Sequence, residues 1–141
     1  MSEAAAPRLL EALHDRAHQL VAATAADACV VSRVLGDVLV IVTHVTAARV
    51  PLDLGQGFLI SDYPLTQTVV RTGEPAQLTV EDDDADEAEV RLLAELGFAT
   101  LLMLPLELVG ERWGLIELYR GSAVHFTPQE IASAQALARV G

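Results

Sequence analysis

Apolar residues alternate with period two over two stretches of the chain and recur at helical steps of three and four over several others. The most apolar stretch is FATLLMLPLELVGERWGLIELYR, residues 98–120. It reads as a β-hairpin: one strand over about residues 100–108, a turn at Val109-Gly110-Glu111-Arg112, and a second strand over residues 113–120. Leu102, Leu104, Leu106 and Leu108 fall on one face, and Leu101, Met103 and Pro105 on the other. With both faces apolar, the hairpin belongs inside a sheet that is covered on both sides. Pro105 has no N–H to give to a ladder, so an edge or a bulge is expected there.

The rest of the chain can be read around this hairpin. A first helix starts at Pro7 or Arg8 and ends near Ala26, with Leu10, Leu13, Ala17, Leu20 and Thr24 as its stripe and Leu9 and Val21 widening it. One edge of so wide a stripe packs on the sheet. The other is assigned to a homodimer seam of Leu10, Leu13, Ala17 and Leu20, the alternative being that the whole stripe enters the monomer core. Residues 29–35 and 38–45 are β-rich runs joined by Gly36-Asp37, which suits a type II′ turn. An irregular stretch over residues 46–62 follows and contains Gly55-Gln56-Gly57. Next come a short helix over residues 64–72 stopped by Gly73, and a strand over residues 75–80. A further helix ends at Leu96-Gly97 and buries Val90, Leu93 and Leu96. The last helix opens at Phe126-Thr127-Pro128-Gln129-Glu130-Ile131: Thr127 as N-cap, Glu130 as its capping-box partner, Pro128 at the first helical position, and Phe126 and Ile131 as a hydrophobic staple. No stop precedes Gly141. The fold class is α+β: a five- or six-stranded antiparallel sheet, with the terminal helices on one face and the middle segment on the other.

Composition narrows the class. A length of 141 residues fits one domain, standing alone or as part of a longer signalling or transcription regulator. The longest apolar run, residues 101–106, is far short of the ~18 residues of a membrane span. No basic segment followed by an apolar one opens the chain, and the single cysteine, Cys29, rules out an internal disulfide framework. A cytoplasmic location is expected. The net charge of −11 disfavours direct binding to nucleic acid or to an anionic membrane.

Several short motifs, in order, carry a resemblance. They are Leu54-Gly55-Gln56-Gly57; Thr72-Gly73-Glu74-Pro75; Leu96-Gly97-Phe98 leading into Leu104-Pro105-Leu106; Gly110 through Trp113-Gly114-Leu115-Ile116; and Phe126-Thr127. In this order and spacing the chain resembles the GAF domain, a cytoplasmic small-molecule sensor and dimerisation module. The resemblance implies a pocket between the sheet and the middle segment. The polar and aromatic groups best placed to line it are His44, Phe58, Tyr63, Thr66, Met103 and Glu117, and the partner would be a small-molecule ligand not identified by the sequence. Cyclic-nucleotide-binding members carry Asn-Lys before a Phe-x-x-x-Asp-Glu motif. Here Arg120-Gly121 stands in place of Asn-Lys and Ile131 follows Glu130, so the match is partial at Phe126 and Glu130 only. No haem, bilin or metal signature is present, and the cofactor is left unknown.

The remaining candidates have plainer readings. His14 and His18 lie four apart on a helix without a third ligand or an HExxH context, and read as exposed. Seven of the nine residues 81–89 are acidic. They lack the order of a calcium loop and read as a solvated segment in which Asp84 or Asp86 caps a helix. Gly55-Gln56-Gly57 lets a loop turn close to the sheet. Cys29 sits in a strand with no base beside it and reads as a small buried hydrophobe. With no nucleophile, base and orienting group together, an enzyme is not expected. Two function classes remain: a ligand-binding sensor that signals through dimerised terminal helices, and a ligand-free dimerisation or protein-interaction module of the same fold.

Overall fold

The structure is a computed structural model that describes residues 6–46 and 52–141. In chain order the elements are α1 (Ala6–Thr24), β1 (Ala28–Leu35), β2 (Val38–Thr46), β3 (Gly57–Leu59), a single 3-10 turn (Ile60–Asp62), α2 (Pro64–Thr72), β4 (Ala76–Thr79), α3 (Glu87–Glu95), β5 (Thr100–Leu108), β6 (Glu111–Arg120), α4 (Pro128–Leu137) and β7 (Arg139–Val140). The strands form one sheet in the order β3-β2-β1-β6-β5-β4, antiparallel throughout, with the two-residue β7 added parallel to the far end of β5.

The two-faced hairpin decides the layering. Leu102, Leu104 and Leu106 pack with Leu13, Ala17 and Leu20 of α1 and with Phe126 and Ala134 around α4. On the reverse face Leu101 and Met103 pack with Val69 of α2, Leu93 of α3 and Ile60. Burial of this many large apolar side chains, about 1.5–3 kcal/mol each, is what fixes both layers to the sheet. Gly114 in β6 faces the Ser32 carbonyl of β1 so closely that any Cβ there would overlap it, so only glycine lets the two central strands meet at that point.

Local chemistry sets the element ends. Gly36 takes φ 60 and Asp37 a negative φ, as a type II′ hairpin turn requires. Gly73 takes φ 76 and closes α2 by donating to the Val69 carbonyl. At α4 both capping-box bonds form between Thr127 and Glu130.

Three expectations are corrected. Val109-Gly110 alone form the β5–β6 turn, both with positive φ (51 and 80), and Glu111 and Arg112 already pair as β6. Residues 57–59 of the irregular stretch form an edge strand on β2. The last helix stops at Leu137 rather than running to Gly141. Beyond Met103, β5 has lost its β4 partner, and the Glu107 and Val109 N–H groups instead bond to the carbonyls of Ala138 and Val140, which draws the chain back onto the sheet.

The assigned dimer seam also changes. Leu13, Ala17 and Leu20 are 1%, 0% and 0% exposed within the monomer, and only Leu10, at 44%, remains accessible. The sheet beneath α1 is apolar enough to take Leu13, Ala17 and Leu20.

Candidate functional site

The β6 strand alternates across the sheet. Leu115 and Tyr119 face the middle segment, while Ile116 and Leu118 face the terminal helices. Glu117, between Leu115 and Tyr119 in this alternation, therefore projects into the apolar layer beneath α2 and α3. There it lines a cavity with Tyr119, Val30 of β1, and Leu39 and Ile41 of β2 as its floor. Phe58 of β3, Tyr63 and Thr66 of α2's first turn, and Glu89, Leu92 and Leu96 from the α3 region form the roof. Within the lining about 20 Å³ is open to the centre of a water molecule. That is room for one water-sized group, with nothing like the volume of a haem or a bilin.

Two carboxyl groups meet this cavity. The Tyr119 hydroxyl donates to Glu117 Oε2 at 2.9 Å. Glu117 is half-buried and keeps part of its surface accessible. Burial pushes its pKa up to about 8, and the charge of Glu89 adds to the rise. Glu89 is 2% exposed and accepts the Thr66 hydroxyl as a hydrogen bond. Its pKa is also raised, chiefly by burial, with the Thr66 bond opposing and Asp86 reinforcing. Burial first, then the two carboxylates, pushes the Tyr119 phenol up as well, so it stays a donor. Among the described residues no arginine or histidine pairs with either glutamate.

The roof is tied together at its polar ends. One carboxylate, Asp86, accepts from Ala88 N at 3.0 Å as the N-cap of α3 and from Leu65 N at 2.8 Å in the first turn of α2. The Asp37 carboxylate accepts from Ser61 N and Ser61 Oγ, holding the 3-10 turn against the β1–β2 hairpin. The Arg112 guanidinium donates to the Arg71 and Thr72 carbonyls at 3.1 and 3.4 Å, capping α2 from the start of β6.

Of the six expected pocket residues, Phe58, Tyr63, Thr66 and Glu117 line the cavity. The Phe58 and Tyr63 rings meet edge to face, 6.4 Å apart. Met103 lies directly below: it is fully buried, opposite Glu117 in the register, with its sulfur 3.4 Å from Thr66 Oγ1. His44 pairs with Val30 at the end of β2 and is outside the lining. Glu89 was hidden by the acidic run. Its signal was helical spacing, since it stands three and four residues before Leu92 and Leu93 and so on their face.

The other candidates take structural places. Cys29 is buried on the opposite face of the sheet from the cavity, and burial raises its thiol far above the range of a thiolate nucleophile. The His14 Nδ1 and Thr43 Oγ1 lie 2.9 Å apart, and the His14 and His18 rings meet edge to face. Among the described residues no group of three His, Cys, Asp or Glu side chains is placed to hold a metal, and no helix is long and apolar enough to cross a membrane. Within the acidic run, Asp82 accepts from Thr79 N and from His125, and Asp86, one of the two expected caps, closes α3.

Comparison with known proteins bears on this arrangement. The family model described as GAF domain matches residues 8–140. Among solved structures, the GAF domain of a two-component sensor histidine kinase from Bacillus halodurans superposes with a TM-score of 0.74 at 16% identity, covering 91% of this chain and 86% of that one. The blue-light absorbing form of the Thermosynechococcus elongatus PixJ GAF domain gives 0.81 at 16% identity, covering 99% and 85%. The wild-type chromophore-binding domain of Stigmatella aurantiaca phytochrome P1 gives 0.69 at 15% identity and covers 89% of this chain but 50% of that one. At these identities the likeness is one of fold. No curated protein matches the chain.

Proposed function

The chain belongs to the GAF domain family, and from that premise we propose that it is a sensory domain whose small-molecule ligand occupies the cavity between the sheet and the roof of α2 and α3. The observation that supports this most is the pair of carboxyl groups, Glu89 buried and Glu117 half-buried, at one cavity without a protein countercharge among the described residues. Burying such groups costs several kcal/mol, so a fold that needed only a core would put leucine there.

Output runs through β6. Tyr119 faces the cavity, and the next residue, Arg120, points to the other side of the sheet. Its guanidinium donates to the Thr24 carbonyl at the end of α1 at 2.6 Å and to Glu130 Oε2 of α4 at 2.7 Å, and stacks on Phe126 at 3.9 Å. A shift of β6 on ligand binding is thereby handed to both terminal helices, whose packing biases an effector. Homodimerisation through the outer faces of α1 and α4, in the cytoplasm, belongs to this reading. With Leu13, Ala17 and Leu20 spent on the core, the contact uses Leu10 and polar neighbours.

The second reading, a ligand-free interaction module, draws on the narrowness of the cavity. Native mass spectrometry separates the two: a discrete excess mass released on denaturation supports the sensor, and protein mass alone supports the module.

A further inference from the structure

We propose that the cavity selects a compact protonated amine and holds its ammonium group between the Glu89 and Glu117 carboxylates. The proposal rests on the reading of the cavity as a ligand site and names what that site would accept.

Three observations converge on this class. With both glutamates ionised, the polar side-chain atoms at the cavity other than the Tyr63 hydroxyl are acceptors, or donors already committed to acceptors. The Thr66 hydroxyl is given to Glu89 and the Tyr119 hydroxyl to Glu117. Among the described residues, Glu117 Oε1 has no hydrogen-bond partner. A guest bringing several N–H donors and a positive charge satisfies the ionised pair, to which a carboxylate or phosphate would add a third negative charge.

The second observation is the walls. Val30, Leu39, Ile41, Leu92 and Leu96 are apolar, and Phe58 and Tyr63 add aromatic rings. Such walls suit an alkyl body and the face of a ring suits a cation. The third is size. About 20 Å³ open to the centre of a water molecule matches an ammonium head and excludes a large planar cofactor. The overall charge of −11 favours the approach of a cation and disfavours that of an anion.

Thermal unfolding of the full chain in millimolar methylammonium chloride tests this, beside methanol, sodium formate and sodium chloride. The expected result is a midpoint raised by roughly 3–8 °C with the amine near pH 8, less near pH 5, where the carboxyl groups hold protons, and none with the other three. Glu117→Gln keeps the volume and an acceptor for Tyr119, and should lose most of the shift; Glu89→Gln is the independent second variant. A shift from methanol or formate in place of the amine overturns the amine class and leaves the ligand site standing. An equal amine shift in both variants overturns the placement between the carboxylates. No shift from any probe overturns the proposal, and the native mass measurement then decides separately whether the cavity holds a ligand at all.

Discussion

Val109 and Glu117 are two side chains that the fold holds against their own preference. Val109 is a β-branched residue at φ 51, 81% exposed, in a two-residue turn whose central positions favour Asn-Gly or Asp-Gly. Its backbone N–H donates to the Val140 carbonyl, a bond that a substitution keeps. Val109→Asn should therefore stabilise the protein by about 1 kcal/mol, read as a higher urea midpoint at unchanged slope; an unchanged or lower midpoint would show that the turn carries no strain. Because the sequence offers valine where asparagine is usual, the turn reads as four residues when it is two. Glu117 is a carboxyl that stays protonated to about pH 8 in the folded state. The folded state thus binds the extra proton, so stability is greatest below the ordinary carboxyl range and falls as pH rises from about 4.5 to about 8. Glu89 of α3 acts in the same direction, Asp86 adds negative charge from the roof, and Tyr119 and Tyr63 remain neutral over this window. Glu117→Gln should flatten this slope and make the protein more stable near pH 8, by on the order of a few kcal/mol. A steeper slope, or a variant weaker at pH 8, would contradict the burial assigned to this group.

At the scale of elements, legibility followed locality. The bounds of α2 and the start of α4 were readable because proline, the capping box and the αL glycine act within a few residues. The strands β3 and β7, of three and two residues, have no period to read, and they exist because tertiary neighbours offer unpaired backbone. The α1 stripe showed its width but not its destination, since a wide apolar face looks the same whether a sheet or a second helix covers it. The same ambiguity hid Glu89 among solvated acids, although its spacing from Leu93 was available. The joint of α1, β6 and α4 turns on Arg120, which bonds to Val124, His125 and Glu130 nearby and to Thr24 far back in the sequence, a combination with no sequence signature. Arg120→Ala should cost about 2–3 kcal/mol, because it leaves the Thr24 carbonyl without its donor and removes charge-assisted bonds. Arg120→Lys should recover only part, since an ammonium cannot reproduce the fork. A loss under about 0.5 kcal/mol in urea unfolding would remove Arg120 from the route between cavity and helices.

Across the whole molecule, one sheet separates two kinds of interior. The α1/α4 side is a packed apolar core containing Cys29, Leu104, Leu118 and Phe126. The α2/α3 side is apolar too, but it is interrupted by two glutamates, two tyrosines and a threonine around a small cavity. The asymmetry suits the proposed division into a scaffold on one face and a ligand site on the other, with β6 belonging to both. The central claim is that the cavity is occupied by a small molecule when the protein is doing its work. Native mass spectrometry of freshly purified protein, set beside a denatured run and beside Leu92→Trp, which fills the cavity from its roof, tests that claim most directly. The account predicts a discrete excess mass on the wild type that denaturation releases and that Leu92→Trp lacks. Protein mass alone for the wild type, or the same excess on the folded Leu92→Trp variant, would contradict it.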